Sequence, residues 1–149
     1  MILIDLVDEL KKEFEDLFRD NVYETKSKKT KTPNIETGWY TSKNTDEEYP
    51  YIMISPVEQD DTGDNSSVQL LIIFAAFSKD PDGWKDTALM AEKVRQYLET
   101  RHAIADKYEV TDNIKITFPD TQPYPQWFCW MNVTFTVYKP SIDFQEVNY

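Results

Sequence analysis

No stretch of this sequence stays apolar for longer than the eight residues 70–77. Nothing in it matches the roughly 20-residue apolar helix that a bilayer requires, and that run reads instead as a buried strand. Cysteine is nearly absent. A lone Cys129 cannot close an internal disulfide, and its position on an apolar strand face makes it a small buried hydrophobe. Histidine is as scarce, with His102 alone beside Arg101, and no serine or cysteine stands in a nucleophile motif. The opening residues Met1-Ile2-Leu3-Ile4-Asp5 lack the basic start and small-residue cleavage site of a secretory signal, so the expected compartment is the cytoplasm. Positive charge is also short: 16 Lys and Arg against 27 Asp and Glu give a net charge of −11, which argues against general nucleic-acid affinity.

What is present is aromatic and unevenly charged. Eight Phe, nine Tyr and four Trp accompany abundant charged residues in a chain of 149, a length that suits one α+β domain spanning 1–149. Residues 36–64 hold eight acidic side chains and one lysine, whereas Lys26, Lys28, Lys29 and Lys31 crowd six positions. Opposite charges on one chain favour directional contact between copies or with a partner.

Ile2, Leu6, Leu10, Phe14, Leu17 and Phe18 recur at helical spacing, which predicts an amphipathic helix over 1–20. Residues 23–32 carry lysines and threonines without apolar periodicity and read as a basic arm, either an edge strand or a mobile extension. The sheet is expected within 35–138. Short β-forming blocks at 35–41 and 49–57 read as strands, 58–66 as a solvated hairpin loop, and 67–78 as a central strand covered on both faces. Trp84, Ala88, Ala91, Val94 and Leu98 then mark a second helix inserted over 84–100, and Ile114, Ile116 and Phe118 another strand. In the last strand Cys129, Met131, Val133, Phe135 and Val137 share the core face, and Trp130, Asn132, Thr134, Thr136 and Tyr138 share an amphipathic one that suits a partly polar cover such as another subunit. Before it stands Gln122-Pro123-Tyr124-Pro125-Gln126-Trp127-Phe128, whose prolines hold the chain open and fix where the strand begins. The tail 140–149 has no clear pattern. The expected fold is therefore a mostly antiparallel sheet of four to five strands with two helices on one face.

The candidate chemistry has plain counterparts. His102 lacks an identifiable partner for general-base work and suits a helix end. Asp60, Asp61 and Asp64, like Asp80 and Asp82 beside Gly83, offer oxygens to calcium, yet neither set matches the twelve-residue loop and both have turn composition. No metal, cofactor or catalytic residue is expected. The lysine cluster has three readings: a phosphate grip, a solvated arm, or a dock for Asp46, Glu47 and Glu48 or for Asp60, Asp61 and Asp64 of a neighbouring copy. Trp127, Phe128 and Trp130 either line a ligand pocket or seal the core edge, and part of the ring-rich surface from Tyr124 to Trp130 is expected to meet another protein.

Three ordered blocks carry a family resemblance: Tyr49-Pro50-Tyr51-Ile52 entering a strand, Ser78-Lys79-Asp80 to Gly83-Trp84-Lys85-Asp86 entering a helix, and residues 122–128. Over 49–138 the chain resembles the tail terminator, or tail-completion, proteins of long-tailed bacteriophages and prophages. It departs from their pattern at Cys129, where glycine often follows the Trp-Phe pair. The resemblance implies a non-enzymatic subunit of the virion tail or neck, assembled in the bacterial cytoplasm. It also implies a ring, commonly a hexamer, that caps the tail tube and presents a surface to head-completion proteins. DNA would pass through such a ring without sequence-specific binding, and no membrane is involved. The alternatives are another head-tail connector or tail component, or a small-molecule-binding or enzymatic α+β domain using the aromatic turn and His102.

Overall fold

In a computed structural model, residues 2–41, 48–101, 103–111 and 113–138 are described. Helix α1, Ile2–Leu17, buries Leu6, Val7, Leu10 and Phe14, the stripe its 3.6-residue spacing dictates. It ends short of the expected 20 because the amide of Asn21 turns back to the Phe18 carbonyl, 3.0 Å away. The basic arm is ordered as a ribbon of β1, Tyr23–Glu24, and β2, Thr30–Lys31. Its turn has Lys28 at a positive φ of 67°.

Strand β3, Asn34–Thr37, runs parallel to β4, Tyr51–Thr62, which pairs antiparallel with β5, Asn65–Phe77. Helix α2, Trp84–Arg101, follows. Next come β6, Ala103–Ile104, β7, Tyr108–Val110, β8, Lys115–Thr117, and β9, Gln126–Tyr138. The sheet order is β3-β4-β5-β9-β7-β6, with β8 beside β7 on the same edge of β9.

The class is α+β, but the four to five strands expected from the sequence are corrected to seven, one joined in parallel, with the two-stranded ribbon in addition. Strands β6 and β7 escape a periodicity reading because they have two and three residues and flank a turn in which Ala105 and Asp106 take positive φ. The solvated loop expected over 58–66 is also corrected. Strands β4 and β5 stay paired out to Thr62 and Asn65, and only Gly63, at φ 56°, and Asp64 make the turn. The β4 half of this limb, residues 58–62, is exposed, so turn-like composition there reports exposure rather than a loop. A bulge puts Val57 opposite no partner, between the pairs Pro56–Leu70 and Glu58–Gln69.

Both helices pack on one face of the sheet. Leu6, Leu10 and Phe14 of α1 and Met90, Ala91, Val94 and Leu98 of α2 share a core with Ile52, Ile54, Leu70, Ile72, Phe74 and the five inward residues of β9. The expectation that β5 is covered on both faces is met only around Ala75, which packs with Tyr49, Tyr51 and Met53 on the open face. The strand's burial alternates, and Leu71 and Ile73 on the open face are only partly covered. Trp84, expected in the core stripe of α2, is 43% exposed; Thr87, Met90, Ala91, Val94 and Leu98 form that stripe instead. Trp84 begins the helix and lines a surface recess with Ile116 and Phe118 rather than entering the core.

Two predictions follow from this packing. Phe135 is fully buried, so Phe135→Ala is expected to cost about 3–5 kcal/mol in denaturant unfolding, and a negligible change would refute the register of β9. Burial pushes the Cys129 thiol up to about 11, an opposing bond to the Thr87 carbonyl notwithstanding, so the group stays protonated at pH 8. A thiol reagent is expected to leave it unmodified until denaturant is added.

Candidate functional site

The three sequence blocks meet at one end of the sheet. Pro125 accepts a hydrogen bond at its carbonyl from the Ser78 amide, 2.9 Å, and the Trp127 indole donates from Nε1 to the Ser78 carbonyl, 2.9 Å. The Tyr124 hydroxyl donates to the Lys79 carbonyl at 2.6 Å. Gln122 closes the turn internally, its Nε2 donating to the Pro119 and Phe128 carbonyls and its Oε1 accepting from the Phe128 amide. A Cβ on Gly83 would lie 2.4 Å from Trp127 Nε1 and 2.8 Å from Ser78 Cβ, so the glycine of the second block makes room for the tryptophan of the third. Phe128, on the opposite face of the strand, packs edge-on against Tyr49 and Tyr51 of the first block, ring centres 6.4 and 6.5 Å apart.

That aromatic cluster continues on the open face. Tyr40 stacks on Tyr51 at 5.4 Å, and Tyr49 lies 6.1 Å from Phe77. Glu48, only 5% exposed, accepts a hydrogen bond from the Tyr40 hydroxyl and pairs with Lys26 Nζ at 3.5 Å. Lys26 Nζ also lies 5.3 Å from the Tyr49 ring centre. Burial, reinforced by the Tyr40 and Glu48 neighbours, pushes both Tyr49 and Tyr51 phenols well above their ordinary range, so both remain neutral.

The charged candidates fall into separate places. Lys26 joins Glu48 of its own chain, a pairing that one of the three readings of the lysine cluster placed between copies, and Lys31 Nζ reaches Asn34 Oδ1 at 2.7 Å. Lys28 and Lys29 are exposed at the ribbon turn. Asp60, Asp61 and Asp64 lie on the projecting β4–β5 limb, with Asp61 accepting from the Ser66 hydroxyl. Trp130 lies half-buried on the open face beside Ile73. Asp46, Glu47 and His102 lie outside the described residues. Among the described residues no group of three or more His, Cys, Asp or Glu is arranged to hold a metal ion, and no helix is long and apolar enough to cross a membrane.

Sequence reasoning missed the exposed apolar surface made by Trp84, Leu89 and Phe118, which are 43, 61 and 46% exposed. Leu89 offered the available signal, because it breaks the apolar stripe of α2.

Gly83→Ala is expected to lower stability by about 1–3 kcal/mol, because its methyl must displace an indole tethered at Ser78. The check is denaturant unfolding together with the Trp127 indole NH resonance, which should shift. The chain matches no family model and no curated protein sequence.

Proposed function

We propose that this chain is a non-enzymatic assembly subunit of a long-tailed bacteriophage or prophage: a tail terminator that closes into a ring on the tail tube and meets head-completion proteins. The observation that carries this reading is the polarity of the subunit. Lys26 lies 6.0 Å from the ring of Phe77, at one end of β5, and Asp64 adjoins Asn65 at the other. Twelve steps of strand separate them, about 40 Å. A basic turn at one end and an acidic limb at the other favour a head-to-tail contact between copies, which closes into a ring where the rotation permits.

Two further features support a structural role. The hydrogen-bonding groups of Gln122, Tyr124 and Trp127 are spent on backbone partners, so this turn serves shape. The open sheet face keeps Leu71, Ile73, Phe128 and Trp130 half-covered, as suits a surface awaiting a neighbour. A net charge of −11 also suits the wall of a DNA conduit that does not hold passing phosphates. A neighbouring connector or tail-tube role would share this polarity and differ in which end of the tube it binds.

Sedimentation of the full chain at rising concentration is expected to show salt-sensitive association. Lys28→Glu with Lys29→Glu should weaken it by about tenfold or more, and adding Asp60→Lys with Asp64→Lys should restore it. Association indifferent to all four changes would reject the contact. Particles lacking the protein should carry tails of abnormal length, or tails unattached to heads, in electron micrographs.

A further inference from the structure

We infer that the free edge of β8, with the apolar cleft between β8 and α2, receives residues 141–145 of a second copy of this chain as an added strand. This inference rests on the reading of the chain as a self-assembling subunit and names one contact of that assembly.

Among the described residues, strand β8 pairs with β9 alone, while β6 covers only the β7 part of the same edge. Its partner Met131 faces the core, so Ile116 points to the helix side, and Phe118, two residues on, lines the same cleft. Trp84, Ala88 and Leu89 of α2 form the opposite wall. The edge therefore offers unpaired backbone groups next to an apolar recess, the combination by which an extended peptide extends a sheet. On the open face of the same strand stands the exposed Lys115.

Although the tail as a whole has no pattern, its five residues Ser141-Ile142-Asp143-Phe144-Gln145 alternate polar and apolar side chains. Laid along β8, they direct Ile142 and Phe144 into the cleft and Asp143 to the face that carries Lys115, so the hydrophobic and charge patterns are satisfied by one register.

The donor is a second copy because of distance. Ile116 pairs with Met131, seven residues before Tyr138, or about 23 Å back along β9, and an added strand lies about 10 Å to the side. Phe144 follows Tyr138 by six residues, a reach of about 21 Å at full extension, and Ile142 by four, about 14 Å. Neither reaches Ile116 of its own chain.

Cross-linking of full-length variants tests this. Leu89→Cys and Phe144→Cys chains, mixed and oxidised, are expected to give a dimer joined between the two variants, with little from either alone because Cys129 is buried. Ile142→Asp added to the Phe144→Cys chain should cut the yield by about tenfold. Phe118→Cys in place of Leu89→Cys should report the same contact. A link that forms within single chains carrying both cysteines at high dilution would overturn the second-copy donor. Association without any such link would overturn the strand contact and leave the assembly reading intact, whereas a chain monomeric at every concentration would overturn both.

Discussion

Thirteen residues of β5 pair with thirteen of β9 without a slip, from Asn65 opposite Tyr138 to Phe77 opposite Gln126, and the remaining strands and both helices attach to that ladder. Because side chains alternate across a strand, a shift of one residue would turn Cys129, Met131, Val133, Phe135 and Val137 out of the core and bring Trp130 and Asn132 in. The register therefore needs a pin, and the proline-aromatic turn supplies one. Ser78, the residue after β5, is tied by its amide to Pro125 and by its carbonyl to the Trp127 indole, so the end of one strand and the start of the other are bonded directly. Gly83 then lets the chain pass the indole on its way into α2.

This explains why the segment 122–128 was informative before its neighbours were known. Its prolines announced a fixed geometry and its rings a packed one, and both are local properties of sequence. The partner of that geometry, Ser78, 49 residues upstream of Trp127, was not legible, because a backbone carbonyl leaves no mark on composition. The core face of β9 was legible for a similar reason: period two persists over its whole length. The opposite face of β5 misled, since Leu71 and Ile73 look as apolar as Leu70 and Ile72 although only the latter pair lies under the helices. A run apolar on both faces implies two covers, and the chain supplies the second only at the Ala75 end, where Tyr49, Tyr51 and Met53 pack over it. The limb at 58–62 misled in the other direction, its acidic residues reading as loop where the ladder to β5 holds them in strand.

The lysine cluster divides along the same lines. Sequence alone gave four equivalent charges, but folding separates them. Lys26 is drawn in by the Glu48 carboxylate and the Tyr49 ring, while Lys28 and Lys29 stay at the turn. A buried carboxylate of this kind requires a partner, since an unpaired one would be expensive to desolvate. The consequence is that Lys26 anchors the ribbon to its own sheet, and the charge left for contacts with other molecules sits at the ribbon tip.

The two free edges of the sheet are treated differently, and the difference bears on assembly. Beyond Ile54, the outer edge of β4 has lost β3, because Gly38 takes a φ of 97° and the chain turns away after pairing its amide with the Ile54 carbonyl. That edge carries Glu58 and Asp60 and the bulge at Val57, the devices by which sheets discourage indiscriminate pairing. The outer edge of β8, three residues long and carrying the exposed Lys115, opens onto a recess lined by Trp84, Leu89, Glu92 and Phe118. On the proposed reading a strand is added beside this recess, where apolar contact favours it, and not at the acidic, bulged edge of β4. A contact of that kind would be head-to-tail, and the rotation between successive copies would decide whether it closes into a ring.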